Sequence, residues 1–182
     1  MAVKVKITNA RLAFPNLFEP GKFGQWGCTL ILDEKNTAAV QKAMKAIAEE
    51  EFKGVMPSPP NRCLRKNEDK SNYGGFEDEN GYHLSANRRE PFKPNQLIER
   101  DKTPAGESTF YPGCYVNAVV NIWPQNNSYG RKVNAELVGV QFYKDGDRLG
   151  RGVSDVEDDD FEALPDLEEP GETKAQSADD FF

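Results

Sequence analysis

Tyr111 to Arg151 reads YPGCYVNAVVNIWPQNNSYGRKVNAELVGVQFYKDGDRLGR, and its alternation decides the fold. Val116, Ala118, Val120 and Ile122 fall on one face of an extended chain, and Tyr115, Asn117, Val119, Asn121 and Trp123 on the other. Such period-two spacing sends alternate side chains to opposite faces of a sheet. Pro124-Gln125-Asn126-Asn127-Ser128 has turn chemistry, and a second strand follows from Val133 to Tyr143. Lys144-Asp145-Gly146-Asp147 closes it with an Asp-Gly turn dipeptide. The stretch is therefore expected to form a twisted antiparallel pair, with Tyr129, Arg131 and Lys132 near its connecting loop.

Working back toward the N-terminus, Val3 to Phe14 and Gly24 to Asp33 alternate in the same way and predict two more strands. Asp33 or Asn36 is placed to cap a helix over Thr37 to Lys53, whose apolar stripe is Val40, Ala43, Met44, Ile47 and Ala48. Gly54 supplies the stop, at the C′ position. Val55 to Phe110 is rich in Pro, Asn, Gly and charge, a composition that places it mostly at the surface. Short strands are expected in it near Arg62–Arg65 and Tyr82–Asn87.

Charge is segregated along the 182 residues. Residues 1–152 hold 22 Lys and Arg against 18 Asp and Glu, a balance of +4. Residues 153–182 hold one Lys and 12 acids, a balance of −11. The net acidity thus belongs to the C-terminal stretch, and the preceding body is mildly basic. The expected organisation is a domain over 1–152 and a flexible acidic tail over 153–182, whose like charges repel and oppose packing. Its last residues, Asp179-Asp180-Phe181-Phe182, are a candidate partner-docking tip.

The N-terminal alternation leaves no apolar signal-type run, and no stretch reaches the length of a membrane span. Three scattered cysteines, Cys28, Cys63 and Cys114, suggest reduced thiols in a cytosol. With the lone His83 they form no paired spacing of the kind a zinc site uses, so no metal is expected. Asp33-Glu34 is accounted for by helix capping, and Glu77-Asp78-Glu79 by a solvated turn beside Gly74-Gly75. No nucleophile triad and no phosphate loop are visible, so neither a catalytic residue nor a cofactor is expected.

Single-strand binding asks for a basic groove, π faces and a sheet to carry them. The candidate cations are Arg62, Arg65, Lys66, Arg88, Arg89, Arg131 and Lys132. The candidate stacking residues are Tyr73, Phe76, Tyr82, Phe92, Trp123 and Tyr129. Trp26, Phe14, Phe18 and Phe142 read instead as core or loop anchors. The tail keeps a second class of function open, an acidic DNA mimic or interaction protein that occupies a host factor.

These pieces resemble a family of bacteriophage single-stranded DNA-binding proteins. The resemblance is carried by Leu12-Ala13-Phe14-Pro15-Asn16-Leu17-Phe18, by Lys22-Phe23-Gly24 with Cys28-Thr29-Leu30-Ile31-Leu32, and by Gly113-Cys114-Tyr115-Val116-Asn117-Ala118. Leu137-Val138-Gly139-Val140-Gln141-Phe142 and Asp145-Gly146-Asp147-Arg148-Leu149-Gly150 complete it, so that it spans residues 1–152. It implies an OB-fold and sequence-tolerant single-stranded DNA binding in phage replication or recombination, in the host bacterial cytoplasm. The fold expected is mainly β: a five-stranded antiparallel OB-like barrel with one helix, a long loop insertion and a disordered acidic tail. The tail resembles those of other replication single-strand binders. There the tip docks replication or recombination proteins and competes with DNA for the groove; duplex DNA as a further ligand is left open.

Overall fold

Alternating apolar residues build a single sheet that closes on itself. In the computed structural model, which describes residues 1–149 and 161–166, the strands are β1 (Val3–Asn16), β2 (Trp26–Leu32), β3 (Leu64–Lys66), β4 (Tyr82–Arg88), β5 (Leu97–Ile98), β6 (Tyr115–Asn127) and β7 (Gly130–Lys144). One helix, α1 (Glu34–Glu51), follows β2. The strand order is β3-β4-β2-β1-β6-β7-β5, with a further β4–β7 pairing. The five long strands thus form a ring, in a mainly β chain with one helix among the described residues, as expected. Two details differ from the expectation. Among the described residues there are seven strands rather than five, since the short β3 and β5 add to β4 and β7. The ring is also not wholly antiparallel, because β4 meets β7 in parallel at Asn87 and Glu136.

The interior of the ring is where the alternation predicts it. Val5, Ile7, Leu12, Leu30, Leu84, Val116, Val120, Ile122 and Leu137 are buried together with Val40, Met44 and Ile47 of α1. Asp33 caps the helix by accepting from the Asn36 N–H at 2.9 Å. Asn36 is itself buried and exchanges two hydrogen bonds with the backbone of Thr8, which ties the helix start to β1. At the other end the left-handed turn begins one residue earlier than expected. Lys53 has φ 54° and Gly54 φ 84°, and the Gly54 N–H reaches back to Ala48 O at 2.8 Å.

The β6–β7 hairpin is longer than its sequence suggests. Pro124 lies within β6, opposite Val133, and pairing continues to Asn127 and Gly130. The turn is therefore Ser128-Tyr129, not Pro124 to Ser128, and Gly130 takes φ 105° to close it. Because β1 pairs with β6 only as far as Ile122, the end of the hairpin projects past β1 as a two-stranded arm.

The chain divides into two units, Met1–Gly152 and Val153–Phe182. Of the second, the described residues 161–166 are exposed and carry no helix or strand. Asp179, Asp180, Phe181 and Phe182, the expected docking tip, lie outside the described residues. Among the described residues, no helix is long and apolar enough to cross a membrane.

Candidate nucleic-acid interface

An open groove of about 710 Å³ runs over the outer face of the sheet, between the Pro59–Asn61 turn and β3–β4 on one side and the β6–β7 arm on the other. Alternation places side chains in it. On β6, Asn121, Trp123 and Gln125 point outward while Ile122 points into the core; on β7, Lys132, Asn134 and Glu136 alternate with the inward Val133 and Ala135. On β4, Ser85 and Asn87 alternate with the buried Leu84 and Ala86. The Cys63 N–H donates to Val133 O at 2.9 Å, and the Ser85 N–H to Cys63 O at 3.0 Å. These bonds join the Pro-rich turn to β4 and β7.

Six of the residues expected to bind DNA line this one groove: Arg62, Arg65, Arg88, Arg89, Trp123 and Lys132. Five cations there face two carboxylates, Glu90 and Glu136. Two of the arginines are held by carbonyls. Arg62 Nε donates to Pro57 O at 2.7 Å, and Arg65 donates to Arg62 O at 3.1 Å and Pro60 O at 3.0 Å. A guanidinium has five N–H donors, so these bonds orient each side chain and leave donor capacity for an anion. Arg88 is held by a side chain and a ring instead, by Gln96 Oε1 at 3.3 Å and by the Phe92 ring 4.6 Å from its guanidinium carbon. Arg89 is exposed.

Trp123 stands on the floor of the groove with 38% of its surface exposed. Cross-strand hydrogen bonds flank it on both sides. Asn121 Nδ2 donates to Glu136 Oε1 at 3.2 Å, and Asn134 Nδ2 donates to Gln125 Oε1 at 3.1 Å. The amides were not among the expected site residues, although the same alternation that turns Trp123 outward turns them outward too. Gly27 of β2 permits the close approach of β4, since a Cβ there would lie 2.3 Å from both Ala86 O and Asn87 Oδ1.

The other candidates lie outside the groove lining. Lys66 is exposed at the end of β3, and Tyr82, paired with it, is half-buried against the core. Phe92 is half-buried beneath Arg88. Tyr129 is 83% exposed at the hairpin turn, and Arg131 is exposed beside it, its guanidinium carbon 5.7 Å from the centroid of the buried Phe52 ring. Tyr73 is half-buried, edge-on to Phe14 at 5.4 Å. Phe76 requires correction as a stacking residue. It is completely buried, stacked under Phe14 at 6.0 Å and edge-on to His83 at 5.3 Å, so it has no face to offer a base. Its Gly-rich surroundings read as an exposed loop, but that loop folds back over β4. Phe14 and Phe18, expected as anchors, are 42% and 37% exposed.

The three cysteines are free and buried. Burial pushes the Cys28 and Cys63 thiols up to about 12, and it raises Cys114 as well. Cys63 borders the groove, yet its thiol stays protonated and unreactive at neutral pH.

Comparison with known proteins gives concordant results. Protein p50 of Acyrthosiphon pisum secondary endosymbiont phage 1 is 32% identical over 187 residues, covering 92% of this chain and 98% of that protein. The single-stranded DNA-binding protein from bacteriophage Enc34 has a similar structure, with a TM-score of 0.66 at 22% identity over 84% of this chain and 87% of that one. Its complex with single-stranded DNA gives 0.66 at 20% identity, over 81% and 89%. The gp2.5 single-stranded DNA-binding protein encoded by bacteriophage T7 gives 0.53 at 11% identity, over 90% and 100%. These structures share the fold. The family described as Enterobacter phage Enc34, ssDNA-binding protein, matches residues 3–174, nearly the whole sequence, and this chain belongs to it.

Proposed function

We propose that the protein binds single-stranded DNA without sequence preference, along the groove between the Pro-rich turn and the β6–β7 arm, and catalyses no reaction. The observation that carries this reading is convergence. Arg62, Arg65, Arg88, Arg89, Lys132 and Trp123 come from distant parts of the sequence and line one groove on one sheet face. The cations release counterions from phosphates, and Trp123 stacks on a base. Membership of the phage family supports the same ligand. In this reading residues 1–152 are the DNA-binding domain and 153–182 an acidic tail. The tail modulates DNA binding and presents Asp179 to Phe182 to replication or recombination proteins, in the cytoplasm of a bacterial host.

The test is a titration of a fluorescent oligo-dT from low to physiological salt. If all five groove cations meet phosphates, the log–log slope of affinity against salt is about −3.5 for a single strand. Arg65→Gln and Lys132→Gln should each make the slope shallower by roughly 0.7. A flat salt dependence overturns the electrostatic mechanism, and no binding at low salt overturns the assignment of ligand.

A further inference from the structure

Phe14 is an unusual residue to leave on a surface. It is 42% exposed, and its φ of 48° lies in the left-handed region, where a bulky side chain is a genuine outlier. Pro15 follows it, and a residue before proline is driven toward extended conformations, so the position is unfavourable twice over. The strain coincides with a break in the β1–β2 register between Ala13 and Asn16. Strain of this kind persists only when its surroundings impose it, and it collects at ligand-binding sites.

What the strain achieves is visible in the packing. The Phe14 ring lies almost parallel to Phe76, at an interplanar angle of 19°. Phe76 in turn rests on His83. Tyr73 meets Phe14 edge-on, at 86°. Lys70 Nζ stands 5.3 Å from the centroid of Phe14 and 5.6 Å from that of Tyr73. A buried aromatic thus supports an exposed one, with a cation beside it. Those are the components of a single-strand stacking platform.

The platform shares the face of the groove. His83 alternates with the inward Leu84, so it points the same way as Ser85 and Asn87, which line the groove. Arg65, another lining residue, is the cross-strand partner of His83. Ala13 pairs with Thr29, and Thr29 with Ser85. Phe14 therefore lies about two strand spacings, on the order of 10 Å, across the sheet from the groove.

We propose that Phe14 is a second base-stacking position for single-stranded DNA, with Lys70 its phosphate contact, a role that rests on the single-strand-binding reading above. The strand would leave the groove past Arg65 and pass over the loop that covers His83 to reach Phe14. Lys70, half-buried and on a flexible stem, would exchange its contact with the ring for a phosphate. A cation–π contact short of full burial is weaker than a base stack together with a phosphate contact, so the exchange favours the complex.

The test uses the full chain and oligo-dT. Phe14→Leu keeps an apolar contact with Phe76 but removes the π face, and it should weaken binding about fivefold or more. Phe14→Tyr should retain binding. Lys70→Gln should reduce the salt slope by roughly 0.7. Wild-type protein irradiated with an oligonucleotide bearing 5-iododeoxyuridine should carry an adduct at Phe14, a readout that does not depend on any variant folding. Adducts confined to Trp123 and Tyr129, or undiminished binding by Phe14→Leu, overturn the second position while leaving the groove intact. Failure of the wild type to bind oligo-dT sinks the single-strand reading itself, and with it this proposal.

Discussion

Trp123 is held by hydrogen bonds made on either side of it. The Asn121–Glu136 and Gln125–Asn134 pairs fix the β6–β7 register around the indole, so removing the ring leaves the surrounding face in place. Trp123→Ala should weaken single-strand binding by about 1–3 kcal/mol with little change in melting temperature. Phe76→Ala should do the reverse. It empties a fully buried site and should cost about 3–5 kcal/mol of stability. A denaturant melt and an oligonucleotide titration of both variants check the pair; an unchanged melt for Phe76→Ala would contradict its burial. The direction of Trp123 was legible because strand alternation assigns it to the face of Asn117 and Asn121. Phe76 was not legible. Its neighbours Gly74, Gly75 and Glu77 have surface composition, and only the tertiary stack on His83 shows that the loop covers β4. Phe14 was read as a core or loop anchor, and it does pack on Tyr73 and Phe76; its exposure was not legible, since nothing in a sequence announces a left-handed φ at phenylalanine.

Elements with a strong period are placed well by the sequence, and their ends are not. The capped helix and the strands β1, β2, β4, β6 and β7 all lie where alternation or an apolar stripe puts them. The hairpin turn was displaced because Pro124 and the polar residues after it mimic a loop. Once β7 pairs with them, the ladder continues through Asn127. The contact between β2 and β4 shows how one residue sets the spacing of two elements. Gly27 faces Asn87 across a gap that a methyl group cannot enter without displacing the Ala86 carbonyl. Gly27→Ala should therefore destabilise the fold by about 1–3 kcal/mol. It should also weaken DNA binding, because the displaced Asn87 lines the groove. Equal melting temperatures for the variant and the wild type would show that β2 and β4 can separate freely.

At the scale of the molecule, closure of the sheet was expected from the family resemblance alone, and the pairing that achieves it was not legible. Closure depends on a parallel meeting of β4 and β7 at Asn87 and Glu136, and on a bridge between Arg62 and Val133. No local pattern marks either pairing. The segregation of charge, in contrast, is plain in the sequence and leads to a prediction about the whole chain. Residues 153–182 carry −11 and are joined to a body carrying +4. If residues 153–182 are the flexible tether their composition leads one to expect, their effective concentration at the body is in roughly the millimolar range. At that concentration even a weak attraction to the groove cations would compete with DNA, because tail and DNA share a charge sign. Removing residues 153–182 should therefore tighten oligo-dT binding, most at low salt, where screening is least. The same deletion should strengthen duplex binding, which relies on phosphate contacts without stacked bases. DNA that fills the groove would in turn release Asp179 to Phe182 for partner proteins. The measurement compares dissociation constants of the full-length and shortened proteins at two salt concentrations. Tighter binding at low salt that converges at high salt is the expected result. Equal or weaker binding by the shortened protein at low salt would exclude competition and leave the tail as a tether for partners.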